Sequence, residues 1–381
     1  MSIIQENPEQ YKQTFLSELA RLNLQQKEAV DQTEGPVLVV AGPGTGKTQI
    51  LTARIGRILE EGLAEPHNIL CLTYTDAGVI AMRKRLLQFI GPTAYNVHIY
   101  TFHSFCNQVI QENIEIFADT RDLRPCSELE MIDVFRKILD DLPKTHPFKR
   151  LVGDVYYEQN RLGPLFDVMK KENWTAQYIH NAVDEYLESL PSRESFQYKR
   201  AYTDKNGKKY QKGSVKQKQI DDETKRMTTL KYASDLFVQY QEVLKDMKRY
   251  DYNDMILWVL REFQNPDSEL LISYQERYHY FLVDEYQDTN GAQNSILSNL
   301  ADYWEDANVF VVGDDDQSIY RFQGANMTNI VDYYEKYKEI IKTIVLQDNY
   351  RSTQPILDAS KVLIENNQER LLNTLKKDIP T

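Results

Sequence analysis

Apolar residues recur along this chain in two rhythms. Short runs, largely apolar, stand at residues 37–40 (VLVV), 69–72 (ILCL), 97–100 (VHIY), 280–283 (YFLV) and 309–312 (VFVV). Each has the length of a strand buried on both faces. Elsewhere apolar positions return every three or four residues, as on one face of a helix. Residues 1–20, 49–61 and a stretch from Ala77 follow that spacing, with 128–142, 162–172, 175–189 and 230–247 in the middle of the chain. Strand runs that alternate with helices predict a parallel sheet, because parallel strands need a long crossover between them. From about residue 115 to 229 the strand rhythm is missing. The expected fold class is therefore α/β, one parallel sheet interrupted by an all-helical insertion that enters through a surface loop.

The first run continues into Ala41-Gly42-Pro43-Gly44-Thr45-Gly46-Lys47-Thr48 and then a helix. Glycines at such a junction let backbone N–H groups turn toward an anion, and the helix N-terminus adds partial positive charge. Residues Gly42, Pro43, Gly44, Thr45 and Gly46 are thus the expected cradle for a nucleotide. Lys47 reaches its β/γ-phosphates and the Thr48 hydroxyl holds Mg²⁺. The usual pattern begins with Gly where Ala41 stands, and the alternative is a glycine-rich turn with an incidental Lys-Thr. About ten residues before the first strand lies Gln26, whose amide both donates and accepts and so could read adenine.

The run 280–283 leads directly into Asp284-Glu285-Tyr286-Gln287-Asp288. A carboxylate at the end of a buried strand makes Asp284 the metal partner of Thr48, and Glu285 is placed to orient or deprotonate an attacking water. Gln317, after the run 309–312, is placed to sense the γ-phosphate. Tyr320 and Phe322 offer ring faces to unpaired bases. Two further strand ends, Thr73-Tyr74-Thr75 and Thr101-Phe102-His103, carry hydroxyls and aromatics suited to phosphate and base, or else serve as ordinary helix caps with core aromatics.

Composition adjusts this picture at a few points. The chain has 381 residues, enough for two or three domains, with 41% hydrophobic and 27% charged content as in soluble globular proteins. No apolar run approaches a membrane span, and the opening residues lack a signal-peptide pattern, so a cytoplasmic protein is expected. Cys71, Cys106 and Cys126 lack CxxC spacing, which argues against a zinc site and against a disulfide framework. A net charge of −12, taken as a total, argues against a nucleic-acid partner. Yet residues 199–226 hold ten Lys/Arg against four acids. That segment is either a solvated loop or a basic arm beside a DNA path.

AGPGTGKT, LTYTDAG, TFHSF, DYNDM, VDEYQDTN, VVGDDDQSIYRFQGA and LQDNYRST, in that order, resemble the motif series of superfamily 1 DNA helicases of the UvrD/Rep/PcrA type. The resemblance implies a RecA-like P-loop NTPase lobe in two parts (1–114 and 230–342), a helical insertion (115–229) and the start of a second RecA-like lobe (343–381). It implies ATP and Mg²⁺ as cofactors, and single-stranded DNA with its junctions to duplex as partner. The location it implies is the cytoplasm, on the nucleoid if the cell is bacterial. Gln26 would read adenine, Tyr350 would stack on it, and Arg351 would reach the γ-phosphate. Thr73, Tyr74, Thr101, His103, Tyr320 and Phe322 fall in loops that contact a single strand. Members translocate 3′ to 5′ by closing two lobes over ATP.

Several residues depart from that pattern. Phe322 stands where Trp is common, Gln323 where Arg is frequent, and Gln49 where a basic residue is common. With only about thirty residues after Ser352, the later motifs and the second arginine have no counterpart, so this stretch alone is expected to hydrolyse slowly. The alternatives are a motor-derived module that binds nucleotide or DNA without turnover, and a P-loop kinase or transporter ATPase, for which DYNDM, TFHSF and QSIYRF have no use.

Overall fold

The computed structural model describes residues 8–203, 209–314, 316 and 328–366. They form two compact units, Met1–Ile116 with Met255–Thr381, and Phe117–Asp254.

In the first unit α1 (Pro8–Leu19) and α2 (Leu24–Asp31) precede β1 (Val37–Ala41), which is followed by α3 (Lys47–Glu60), β2 (Ile69–Thr73), α4 (Asp76–Ile90), β3 (His98–Thr101) and α5 (Phe102–Glu112). The second unit holds β4 (Arg124–Pro125), α6 (Glu128–Asp141), α7 (Gln159–Lys171), α8 (Ala176–Ser189), β5 (Tyr202–Thr203), β6 (Lys209–Tyr210), α9 (Gln217–Asp246) and β7 (Arg249–Tyr250). The chain passes through α10 (Tyr252–Phe263) to α11 (Leu270–Arg277), β8 (Tyr280–Val283), α12 (Gly291–Ala301), β9 (Asn308–Gly313), α13 (Thr328–Lys336), β10 (Lys342–Leu346) and α14 (Gln354–Ile364).

The sheet of the first unit has six strands in the order β10-β1-β9-β8-β2-β3, and every neighbouring pair is parallel. β1, β2 and β8 are buried at every residue, which is why their sequences read as unbroken apolar runs. Because all six strands point the same way, the loops after them share one edge, the usual ligand edge of such a sheet. β3 begins one residue later than the apolar run suggests, and α3 begins at Lys47 itself.

A buried arginine fixes the entrance to this lobe. Arg54, 1% exposed, donates to the carbonyls of Ala29 (3.1 Å), Gln32 and Thr33 (3.0 Å) and lies over the Phe310 ring at 4.4 Å. Those carbonyls close the end of α2, so Arg54 pins α2 to α3. Burial lowers its pKa to about 9, still charged at neutral pH.

The second unit is helical around a cluster of aromatics, with Phe166 packed on Phe135 at 5.9 Å and on Tyr240 at 5.0 Å. It extends to Asp254 and not to 229 as expected, because α9 runs 30 residues without a break and places Ala233, Leu236, Phe237 and Tyr240 in the helical core. At the end of this unit the DYNDM residues enclose Lys170. Its Nζ lies 2.6 Å from Asp251 and 2.7 Å from Asp254, and Tyr240 donates to Asp251 at 3.1 Å. The pKa of Asp254 is raised, first by burial, with Lys170 opposing.

Two other expectations change. Outside 204–208, the polar segment 199–226 is ordered: β5 and β6 pair antiparallel, Tyr198 stacks on Tyr210 at 4.6 Å and on Tyr202 at 6.1 Å, and α9 begins at Gln217. β10, most of which falls in the stretch expected to open a second lobe, pairs with β1 from Val37↔Lys342 to Ala41↔Leu346, so these residues complete the first sheet. Among the described residues no helix is long and apolar enough to cross a membrane.

Candidate nucleotide-binding site

The loop after β1 has the backbone its glycines imply. Gly44 (φ 77°) and Gly46 (φ 95°) occupy the left-handed region. A Cβ on Gly44 would lie 2.5 Å from the Cβ of Arg351, and one on Gly46 would lie 2.8 Å from the Gln26 amide nitrogen. Only glycine fits at either position. Thr45 is buried and donates from its hydroxyl to the Gly42 carbonyl at 2.8 Å, closing the turn.

Gln26 lies directly beneath. With Asn23 it forms the capping box that starts α2, its Oε1 accepting from Asn23 N at 3.1 Å. Its Nε2 donates to the Thr45 carbonyl at 2.8 Å. The amide expected to read a base thus holds the phosphate loop, with its side chain 2% exposed.

Across the loop, the Lys47 ammonium pairs with Glu285 Oε2 at 2.6 Å. Glu285 has φ 50°, left-handed for a residue with a side chain, a strain of order 1–3 kcal/mol of the kind found at functional turns. Asp284 is buried and accepts from the Glu285 N–H at 3.0 Å. Burial, then the Glu285 charge, raise its pKa to about 7, while Lys47 and the backbone N–H work the other way. Asp288 is raised to about 6, again by burial and then Glu285.

The buried Asp284 carboxyl and the unpaired Asp288 Oδ1 leave carboxylate oxygen for an added cation. Among the described residues no three or more His, Cys, Asp or Glu converge as a complete metal cage. That donor set matches magnesium, which takes one or two protein oxygens and fills the rest with water and phosphate. Thr48 and Asp284 are the residues that would hold it.

A cavity of about 710 Å³ opens over the loop. Lys47, Thr48, Glu285, Tyr350 and Arg351 line it. Tyr350 N donates to the Gly44 carbonyl at 2.9 Å, and Asn349 Nδ2 donates to the Pro43 carbonyl, so this segment is tied to the loop it covers. The Tyr350 ring is 63% exposed, and Asn23 donates to its hydroxyl at 2.9 Å. Lys84, Arg85 and Gln88 from α4 also line it, none of them expected from the sequence. With Ala81 they occupy positions 81, 84, 85 and 88, one helical stripe, and that spacing is the signal that could have marked them.

The residues expected to touch DNA fare unevenly. Thr73 is 2% exposed, and Thr101 is buried with its hydroxyl capping α5 by accepting from Ser104 N at 3.1 Å. Tyr74 is 41% exposed and His103 is half-buried. Gln317, Tyr320 and Phe322 lie outside the described residues.

Residues 22–338 match the model of the UvrD/REP helicase N-terminal domain. Among curated relatives, the ATP-dependent DNA helicase PcrA of Bacillus subtilis is 31% identical over 355 residues, covering 92% of this chain and 40% of the relative. PcrA of Staphylococcus aureus is also 31% identical, over 356 residues and 41% of its length. The chain thus spans about two-fifths of the length of these relatives. With a family match over most of its length, a parallel sheet edged by a phosphate loop and acids at the end of β8, the chain belongs to the UvrD/REP helicase family through that family's N-terminal domain.

Proposed function

We propose that this chain is the ATP-hydrolysing front portion of a DNA helicase that moves 3′ to 5′ along single-stranded DNA and works at its junctions with duplex, in the cytoplasm and, in a bacterial cell, on the nucleoid. One observation carries the reading: Lys47 and Glu285 meet at 2.6 Å in a cavity that Tyr350 and Arg351 also line. An ammonium and a carboxylate from distant parts of the chain are held where a triphosphate would lie on backbone N–H groups.

In this reading the phosphates replace Glu285 as the partner of Lys47. Freed of that pairing, Glu285 orients the attacking water and accepts its proton. Magnesium, when bound at Thr48 and Asp284, neutralises phosphate charge. Tyr350 stacks on the base and Arg351 approaches the γ-phosphate. Gln26 positions the loop by holding Thr45 and contributes to adenine recognition from there. Gln317 senses the γ-phosphate. Tyr74, His103, Tyr320 and Phe322 face the single strand, with Thr73 and Thr101 shaping two of its loops. A second RecA-like lobe of the complete gene product supplies the remaining arginine. Without it, turnover is slow.

The competing reading is a module that binds nucleotide or DNA without turnover. Steady-state ATP hydrolysis by the complete gene product, with and without single-stranded DNA, separates the two. Hydrolysis stimulated by DNA and abolished in Lys47→Ala, with nucleotide-free DNA binding kept, is the expected result. Turnover at the wild-type rate in Lys47→Ala would refute the assignment of the phosphate loop, and a rate indifferent to DNA would favour the binding module.

A further inference from the structure

The acidic turn after β8 contains a buried amide. Gln287 is 1% exposed. Its Nε2 donates to Glu285 Oε2 at 2.8 Å and, more weakly, to Asp288 Oδ2 at 3.4 Å. Its Oε1 accepts from the backbone N–H of Asp314 at 3.0 Å. The partners fix which way the amide faces, because a carboxylate accepts only from the NH₂ end and a backbone N–H needs the oxygen. Gly313 permits this approach, since a Cβ there would stand 3.0 Å from Gln287 Oε1.

The two ends of this amide reach different machinery. Glu285 Oε2 is the same oxygen that Lys47 contacts at 2.6 Å. If phosphate draws Lys47 away, Gln287 remains as a side-chain donor to that oxygen. Asp314 is the first residue after β9, itself buried, and stands three positions before Gln317. A rigid amide with one hydrogen bond on each side passes a displacement of one partner to the other more faithfully than exposed side chains would, because the surrounding low dielectric penalises breaking either bond.

We infer that Gln287 is a positioning residue that ties the Glu285 carboxylate to the end of β9, and through it couples DNA occupancy to the orientation of the water-activating group. This rests on the proposed function. Gln287→Glu keeps the acceptor toward Asp314 but sets a carboxylate against Glu285. Gln287→Met keeps the length and removes both hydrogen bonds.

The experiment measures ATP hydrolysis by the complete gene product over a range of ATP concentrations, with and without saturating oligo(dT), for wild type, Lys47→Ala and both Gln287 variants, with thermal melting to show which variants fold. The expected result is a KM for ATP within about threefold of wild type, with kcat in the presence of DNA lowered about tenfold or more. The basal rate, which uses the same Glu285, should also fall but by a smaller factor, so that the ratio of DNA-stimulated to basal rate drops. A merely structural role would lower both rates together. A stimulation ratio preserved in whichever variant folds, or a raised KM with kcat unchanged, would overturn the inference while leaving the proposed function standing. A wild type without DNA-stimulated hydrolysis sensitive to Lys47→Ala would overturn both.

Discussion

Binding of Mg²⁺ and nucleotide should expel a proton from Asp284. In the free site, burial and the neighbouring Glu285 charge raise this carboxyl to about 7. A divalent cation binds the ionised form, so at pH below 7 the proton must leave first. The affinity therefore rises with pH up to about 7 and levels off above it. A group with pKa about 7 carries roughly 0.9 proton at pH 6 and roughly 0.1 at pH 8, which makes binding about tenfold weaker at the lower pH. Calorimetric titration with Mg·ADP, in two buffers of different ionisation enthalpy, counts the protons released. The nucleotide's own protons contribute equally to wild type and Asp284→Asn, so the difference between them isolates this carboxyl. Asp288, raised to about 6, is retained in both proteins and cancels likewise. A difference of about 0.9 proton at pH 6 is expected. Equal release by the two proteins at pH 6 would refute the reasoning, because Asp284 would then either be ionised already or stand apart from the metal.

Two further predictions concern the helical unit. Lys170→Met leaves the buried Asp254 and the half-buried Asp251 without their cation, which should cost about 3 kcal/mol in urea unfolding monitored by circular dichroism. A loss under about 1 kcal/mol would show that the carboxylates find another way to be satisfied. Neutralising the exposed Lys199, Arg200, Lys209 and Lys212 should flatten the dependence of log affinity for single-stranded DNA on log salt by about 0.7 for each phosphate that these side chains no longer neutralise. An unchanged slope would return the tyrosine-stacked ribbon to the status of a solvated surface.

How legible a residue is in the sequence depends on whether its neighbours in space are also its neighbours in the chain. β1, β2 and β8 are plain because a strand buried on both faces has no polar positions to interrupt the run. The phosphate loop is plain because its chemistry is local: glycines, a lysine and a hydroxyl within eight residues. The pair β5 and β6 reads as loop or arm because its pairing depends on tyrosines at 198, 202 and 210 that meet only when the strands close. Lys84, Arg85 and Gln88 look like a solvated helix face until the cavity gives that face something to line. Thr73 and Thr101 read as ligands from residue type, yet one is buried and the other is spent capping a helix.

The placement of β10 shows the same principle in its strongest form. Its sequence, KTIVL, says strand but not which sheet, and the resemblance assigns most of it to the opening of a second lobe. Pairing beside β1 brings the residues that follow it back over the phosphate loop, where Asn349 and Tyr350 bond to the carbonyls of Pro43 and Gly44. Gly44 is then constrained from two sides, by its own left-handed backbone and by the Arg351 Cβ that would meet any side chain placed there. The cradle is thus assembled from four parts of the chain, around residues 26, 42–48, 284–288 and 349–351. No two of these parts are adjacent enough for a local pattern to reveal their contact. The spacing of hydroxyls, acids and glycines can say which residue types are present for phosphate chemistry; the resemblance implies that Tyr350 and Arg351 join Lys47 at the nucleotide, and the order of the strands supplies the physical reason that they line the same cavity.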